Sequence, residues 1–268
     1  YLYKKSFMEQ SPNIANMDPN YVPDEYKEQY DVIELPSQGI LYKNKKSTVK
    51  VSYLTTIDEN ILSSPNIINS GKLVDILLER KVKDLGFDTK DLLDGDRMAI
   101  LVFLRSTGLG DKYTQAVVDP NSGKVVSGEI DLPSLKQKKL DVQPDENGEF
   151  DFVLPQSNYR IKFRFLTGKD EEEIDLQDET LMERNGDKVS QKITLRLERQ
   201  IMQINDDRDK IKLSTIIKKL SLKDSRALRK YMSDLEPGID FNTNATIQGG
   251  VEVATFLRIG SNFLWPEF

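Results

Sequence analysis

The sequence predicts an α+β fold: a mixed helical body with β-hairpin modules and an extended N-terminal arm. Three observations carry this. Period-two and helical patterns succeed one another in blocks, as β, α, β, α, β, without the strict alternation of a doubly wound parallel sheet. The run from Asp96 to Thr107 is apolar nearly all round (Ile100, Leu101, Val102, Phe103, Leu104), the mark of a helix in the middle of a domain. Residues 1–30 hold no periodicity, but they do hold Pro12, Pro19 and Pro23, and Tyr1, Tyr3, Tyr21, Tyr26 and Tyr30 out of 10 tyrosines in all.

In chain order, residues 1–30 form the arm. With no core of its own, it must lie on its own body or on a partner, and extended it reaches up to ~100 Å. The region 31–110 follows as a strand pair plus helical core. Val32 to Leu35 is a strand closed by a Pro36/Gly39 turn, and Val49, Val51 and Tyr53 alternate with Lys50 and Ser52. Thr56 with Glu59 has capping-box spacing before Ile61 and Leu62. Gly71 to Asp84 carries Leu73, Ile76 and Leu77 on one helical face, and Gly108 to Gly110 ends the long apolar helix.

A β-hairpin module is expected over 111–167. Ala116–Val118 and Val125–Val126 flank a turn at Asp119–Gly123, then come Phe150–Phe152 and the alternation of Tyr159, Ile161, Phe163 and Phe165 with Arg160, Lys162 and Arg164. A helical module spans 168–240. It opens on Thr167 and Asp170 and continues with Ile193, Leu197, Ile201 and Ile204 on one helical face. Ser221 with Asp224 caps a last helix with the stripe Leu228, Tyr231, Met232 and Leu235, stopped by Glu236-Pro237-Gly238. Residues 241–268 complete the chain as a hairpin and an aromatic tail.

Composition removes many chemistries. The 268 residues include no Cys and no His. Disulfides, thiol nucleophiles, thiolate or imidazole metal sites and imidazole bases are therefore out of reach. The net charge of −6 argues against nonspecific binding to a phosphate backbone. The longest apolar run, Ala99 to Leu104, is far short of the ~20 residues that span a bilayer, and no signal-peptide pattern opens the chain. Tyr1 in place of Met implies a start inside a longer product or after processing.

Motif by motif, catalysis finds no foothold. Ser70-Gly71-Lys72 and Ser122-Gly123-Lys124 lack the first glycine of a phosphate loop, with Asn66 and Val118 in its place, and Gly108-Leu109-Gly110 has Tyr113 where a dinucleotide fingerprint needs Gly. Asp145-Glu146-Asn147-Gly148 has Gln143 where a calcium loop begins, so it reads as a turn. Asp170 to Glu173 sits at a helix N-terminus, where carboxylates offset the dipole. Arg160, Lys162 and Arg164 put three cations on one sheet face, best explained as a solvated face with the acidic helix beside it. No catalytic, cofactor-binding or metal-binding residue is assigned, and no cofactor is expected.

Taken together, Glu34-Leu35-Pro36-Ser37-x-Gly39, Asp94-Gly95-Asp96-Arg97, Phe163-Arg164-Phe165-Leu166-Thr167-Gly168, Asp224-Ser225-Arg226-Ala227-Leu228-Arg229-Lys230-Tyr231, Glu236-Pro237-Gly238 and Phe263-Leu264-Trp265-Pro266 resemble, in order and spacing, the baseplate hub assembly protein family of T-even-type contractile-tailed bacteriophages. The resemblance runs from about residue 32 to the end. It implies a structural or assembly role in the hub of the tail baseplate, made in the host cytoplasm and acting through contacts with other baseplate and tail proteins in a symmetric multi-subunit assembly. Nucleic-acid binding, membrane insertion and enzymatic activity are not expected. Members often carry two Cys-x-x-Cys-Gly knuckles that look like a zinc site. Here they fall on Asp119–Gly123 and Thr246–Gly250, which keep Gly123 and Gly250 but have no thiol.

Two other roles compete with the hub reading: a tail chaperone absent from the mature virion, and a carboxylate-dependent cell-wall hydrolase, which needs two opposed acids in a cleft. Expected partner-binding residues are Tyr1, Tyr3, Tyr21, Tyr26, Tyr30, Phe263, Trp265 and Phe268. For the aromatic terminus the alternative is that it plugs the chain's own core.

Overall fold

Local signals set the elements, and one apolar helix gathers them. The computed structural model describes residues 28–185 and 189–264. Strands β1 (Tyr30–Glu34) and β2 (Thr48–Ser52) pair antiparallel across a turn held by Gln38 and Gly39 at φ 52° and 70°. A Cβ on Gly39 would stand 2.6 Å from the Lys46 carbonyl, so only glycine fits there. Helices α1 (Thr56–Leu62), α2 (Pro65–Asn69) and α3 (Leu73–Lys81) follow, and the chain runs directly from α3 into β3 (Val82–Lys83), which pairs with β2.

Helix α4 (Asp94–Leu109) comes next, then the hairpin β4 (Lys112–Val118) and β5 (Val125–Asp131), the short β6 (Gln137–Lys138), and β7 (Phe150–Val153) paired with β8 (Arg160–Phe163). The rest is α5 (Gly168–Asn185), α6 (Lys192–Gln200), β9 (Ile201–Ile204), α7 (Lys210–Ile217), α8 (Leu222–Leu235), β10 (Gly238–Ile239), the hairpin β11 (Asn242–Ile247) and β12 (Val251–Phe256), and α9 (Ser261–Leu264). The fold is α+β, with antiparallel sheets ordered β1-β2-β3, β10-β6, β12-β11-β5-β4 and β7-β8-β9.

Being apolar on all sides, α4 serves two cores. Ile100 and Leu104 face a cluster built from Val49, Val51, Phe150, Phe163, Ile201, Leu213 and Leu228, while Leu101 and Val102 face another built from Leu77, Tyr113, Ile130, Ala245 and Phe263. The second core lies under the four-stranded sheet, whose outer strands are tied together by one side chain. Gln115 of β4 donates its amide to the Thr255 hydroxyl (3.0 Å) and the Phe256 carbonyl (3.1 Å) and accepts from the Arg258 backbone N–H (3.2 Å).

Several elements differ from expectation, each for a local reason. The first capping box is one residue earlier: Thr55 donates its N–H and hydroxyl to Asp58, both at 2.8 Å. Asp58 is also buried against Lys81 (2.5 Å) and takes the Arg80 Nε–H (2.9 Å), so the register that seats this carboxylate wins. Burial alone would raise its pKa, but those cations and the Thr55 donors hold it down to about 2. The helix expected through Ile204 stops at Gln200. Ile201 and Ile204 continue as β9 because their backbone pairs with β8, opposite Phe163 and Ile161. Within α6 the buried residues are Leu195, Leu197 and Gln200, and Ile193 faces solvent. Helix α7, absent from the sequence reading, is capped by Asp209, whose side chain accepts from the N–H groups of Ile211 and Lys212.

The aromatic end is partly described. Phe263 and Leu264 are buried, and Phe263 sits edge-on to Tyr113 at 5.1 Å between centroids. Phe263→Ala should therefore cost ~3–5 kcal/mol of stability. A denaturant melt within about 0.5 kcal/mol of the parent would remove Phe263 from the core.

Candidate functional site

The motif fragments are far apart in sequence, yet four of them meet at the first turn of α4. Asp96, fully buried, accepts the Ser37 N–H (2.9 Å), the Ser37 hydroxyl (2.5 Å) and the Tyr42 hydroxyl (2.6 Å). Tyr42 in turn accepts the Leu93 N–H at 2.9 Å, just before the helix begins. No cation compensates Asp96, and burial pushes its pKa up against the pull of its three donors. Burial, and then the neighbouring Asp96, push Tyr42 up as well.

From the other side, the Leu166-Thr167-Gly168 segment docks by backbone bonds. Asp94 N–H donates to the Leu166 carbonyl (3.2 Å) and Gly168 N–H to the Leu92 carbonyl (3.1 Å). A Cβ on Gly168 would lie 2.0 Å from an Arg97 guanidinium nitrogen, and one on Gly95 would lie 1.8 Å from the Pro237 carbonyl oxygen. Arg97 is buried and ion-paired with Asp75 at 2.5 Å. Gly95 and Gly168 are thus close-approach glycines, one for the Pro237 backbone and one for a buried guanidinium.

Next to this joint lies a second group of acids. Asp94, Glu171 from α5 and Glu236 after α8 sense one another and the cation Arg196, which bonds Glu171 at 2.7 Å, while Lys138 also acts on Glu236 and Arg97 on Asp94. Burial first, with the neighbouring carboxylates, pushes Glu171 and Glu236 up to about 7, and burial raises Asp94 too. Asp94 and Glu236 line a cleft of about 200 Å³ with Lys138, Phe241 and Phe256. A carboxylate hydrolase needs one acid kept ionised opposite one kept protonated. Burial pushes both acids of the cleft in the same direction, toward the protonated form.

The remaining sequence-flagged groups are accounted for individually. Lys162 pairs with Asp145 (2.7 Å) and Arg164 with Asp170 (2.7 Å), while Arg160 reaches Asp206 at 3.8 Å. Asp145 closes its own turn by accepting from the N–H groups of Asn147 and Glu149. Asp170 accepts the Thr167 N–H at 2.9 Å, while Glu171, Glu172 and Glu173 are paired with Arg196, Lys90 and Arg199. Asp224 accepts from the N–H groups of Gln156 (2.8 Å) and Ser157 (3.1 Å), and Tyr231 of the same fragment stacks on Phe152 at 4.6 Å.

Thr246 of β11 lies opposite Glu129 of β5 in an antiparallel pair, so the Asp119–Gly123 and Thr246–Gly250 turns lie at the same end of the sheet. Their side chains do not suit zinc. Asp119 is already taken by the Asn121 N–H and the Ser122 hydroxyl, and Thr246 and Gly249 offer no thiolate or imidazole. No group of three His, Cys, Asp or Glu among the described residues is arranged to hold a metal.

The family model described as T4 bacteriophage base plate protein matches residues 27–263. The chain belongs to this family. No curated protein and no solved structure matches it. As a baseplate protein, it spends its shared motifs on internal joints. Among the expected partner-binding residues, Tyr30 is 49% exposed with Lys50 Nζ 5.0 Å from its ring centroid. Phe263 is corrected to a core residue, because its ring fills space beside Tyr113 and presents nothing to a partner. Tyr1, Tyr3, Tyr21, Tyr26, Trp265 and Phe268 lie outside the described residues. Sequence reasoning quoted Ser37, Gly95, Asp96 and Gly168 in its motifs without foreseeing that they touch. It missed Tyr42, and it named Asp94, Glu171 and Glu236 without foreseeing that they gather.

Two expectations test the joint. Gly95→Ala should destabilise severely, on the order of 3 kcal/mol or more, because the obstacle is backbone and cannot swing away. A melt indistinguishable from the parent would show that the contact is not close. The acid group gives a pH dependence. Unfolded glutamates titrate near 4.5, whereas folded Glu171 and Glu236 hold their protons to about 7. The folded state therefore binds more protons in this window. Its extra stability is complete below about 4.5 and is lost as pH rises through 7. The melting temperature should fall by a few degrees from pH 5 to 7.5. Glu236→Gln should flatten that slope, and an unchanged slope would detach Glu236 from it.

Proposed function

We propose that this chain is a structural or assembly component of the baseplate hub, working through protein–protein contacts and not by catalysis. The observation that carries the reading is the family match together with the use to which the shared motifs are put. Ser37, Gly95, Asp96 and Gly168 hold chain segments together. The lack of any Cys or His supports the same reading, as does the neutralisation of the Arg160–Arg164 strand face by carboxylates. No helix among the described residues is long and apolar enough to cross a membrane.

The contacts we assign to the arm follow from the same view. Tyrosine joins a large apolar ring to a polar tip, which suits wet protein interfaces. β1, which follows the arm, is an outer strand with Tyr30 49% and Val32 60% exposed. In this proposal residues 1–27 dock on a neighbouring subunit of a symmetric assembly, because Glu28 to Tyr30 are already held on the chain's own body by Lys81, Tyr53 and Ser52, and Trp265 and Phe268 add an aromatic anchor.

Quantitative and cross-linking mass spectrometry of purified tails tests both parts. A hub component is present at fixed stoichiometry, with Lys4 or Lys5 cross-linked to another subunit. Absence from mature tails, with presence in assembly intermediates, would replace the hub reading with that of a tail chaperone. Cross-links from Lys4 and Lys5 only to the chain's own body would end the arm proposal.

A further inference from the structure

A second cavity, of about 540 Å³, opens where the end of α4 meets β4 and the segment leading into α9. It is lined by Arg105, Lys112, Tyr113, Gln115, Arg258 and Asn262 among others, and none of its lining residues is acidic. Arg105 forms its back wall. Only 5% of that residue is exposed, and among the described residues its guanidinium bonds only backbone: the Gly110 carbonyl at 2.9 Å and the Lys112 carbonyl at 3.4 Å. It lies 5.7 Å from the Tyr113 ring centroid, and its Nε–H is buried with no partner.

A guanidinium removed from water without an anion is costly, and in this protein most buried charges are not left so. Lys81 has Asp58 and Arg97 has Asp75. The acid next to the Arg105 loop, Asp111, is held by the Ser106 hydroxyl. At the rim, Arg258 makes no ion pair among the described residues, while Lys112 reaches Glu129 (3.6 Å) and Asp131 (3.2 Å) on the exposed sheet face. A desolvated positive charge at the back and Arg258 at the mouth concentrate positive potential in the cavity, while Lys112 shares its charge with Glu129 and Asp131.

We infer that this cavity is a receptor for a carboxylate side chain on an acidic segment of a protein partner. Arg258 and Lys112 make the direct contacts and Arg105 supplies the field behind them. A protein carboxylate is favoured over a nucleic-acid phosphate for two reasons. The chain carries a net charge of −6, and the strand row of cations, Arg160 to Arg164, is already paired with carboxylates. The inference rests on the protein-contact reading above, but it is measured on the isolated chain. Its failure would therefore leave the composition of tails untouched.

Isothermal titration of the full chain with an N-acetylated, C-amidated tetra-aspartate peptide at low salt provides the test, with inorganic phosphate and a short oligothymidylate in parallel. The peptide should bind with an affinity that falls steeply with added salt. Arg258→Gln and Lys112→Gln should each weaken it about tenfold, that is by about 1.4 kcal/mol. Both positions are exposed, so the variants keep the fold, and Lys230→Gln, on α8 and outside the cavity lining, should change nothing. Absence of peptide binding overturns the inference, as does equal binding by all variants. So does tighter binding of phosphate or oligothymidylate at these residues, which would assign the cavity to a phosphate ligand.

Discussion

The structure depends on one buried carboxyl. Asp96 occupies the first turn of the long helix that lines both cores, and it holds the turn after β1 through two bonds to Ser37 and one to Tyr42. A buried Asp with no cation is tolerable because every donor points at it and its pKa can rise, so the charge need not persist. Tyr42 extends the link by capping the Leu93 N–H, which fixes where α4 starts. The position of that start then determines whether Gly95 meets Pro237 and Gly168 meets Arg97. A shift of one residue would put a Cβ against the Pro237 backbone in place of Gly95 and move Arg97 away from Gly168.

This explains why an α+β chain built of short sheets behaves as one body. None of the sheets exceeds four strands among the described residues, and small isolated sheets are marginal. Each is fastened to α4 or to a segment docked on it. β10 follows Pro237, β8 leads into the Leu166–Gly168 segment, and the hairpin sheet covers Leu101 and Val102. The hydrophobic clusters supply most of the driving force, while the polar joint sets the relative placement of the parts. Burial is non-directional, and a carboxyl with three donors is not.

Much of this was legible in the sequence, and the limits have physical causes. The α+β class, the buried helix, the Ser221 cap and the cation–acid pairing of the strand face are local consequences of period and cap chemistry. The end of α6 was not legible, because Ile193, Leu197, Ile201 and Ile204 satisfy a helical period by coincidence while strand pairing with β8 decides the outcome. The capping box slipped by one residue because a tertiary partner, Lys81, selects Asp58 over Glu59. The joint itself was visible only as a set of separate motif fragments. Contact between Ser37 and Asp96 spans most of a domain, and no local pattern encodes it. The charged pocket was hidden in the same way, since Arg105 and Arg258 look like ordinary surface arginines until burial separates one of them from every acid.

The Asp119–Gly123 and Thr246–Gly250 turns are held by hydrogen bonding. At the first, the Asp119 carbonyl accepts the Gly123 N–H (2.8 Å), its carboxylate takes the Asn121 N–H (2.9 Å) and the Ser122 hydroxyl (2.6 Å), and its own N–H reaches the Lys124 carbonyl (2.9 Å). Gly123 supplies the positive φ of 68° that closes the loop. The second turn is looser: Gly249 and Gly250 stand at φ 90° and 76°, with the Gly250 N–H on the Ile247 carbonyl. Neither turn needs a cross-link, because the register is already fixed below it. β4 pairs with β5 from Lys112 opposite Asp131 to Val118 opposite Val125, and β11 pairs with β12 from Asn242 opposite Phe256 to Ile247 opposite Val251. Gln115 then ties the outer strands of the same sheet to one another at a single side chain. With strand pairing, an Asp-centred turn and that clamp in place, thiolate ligands would add rigidity to a geometry that the chain's own polar groups already define.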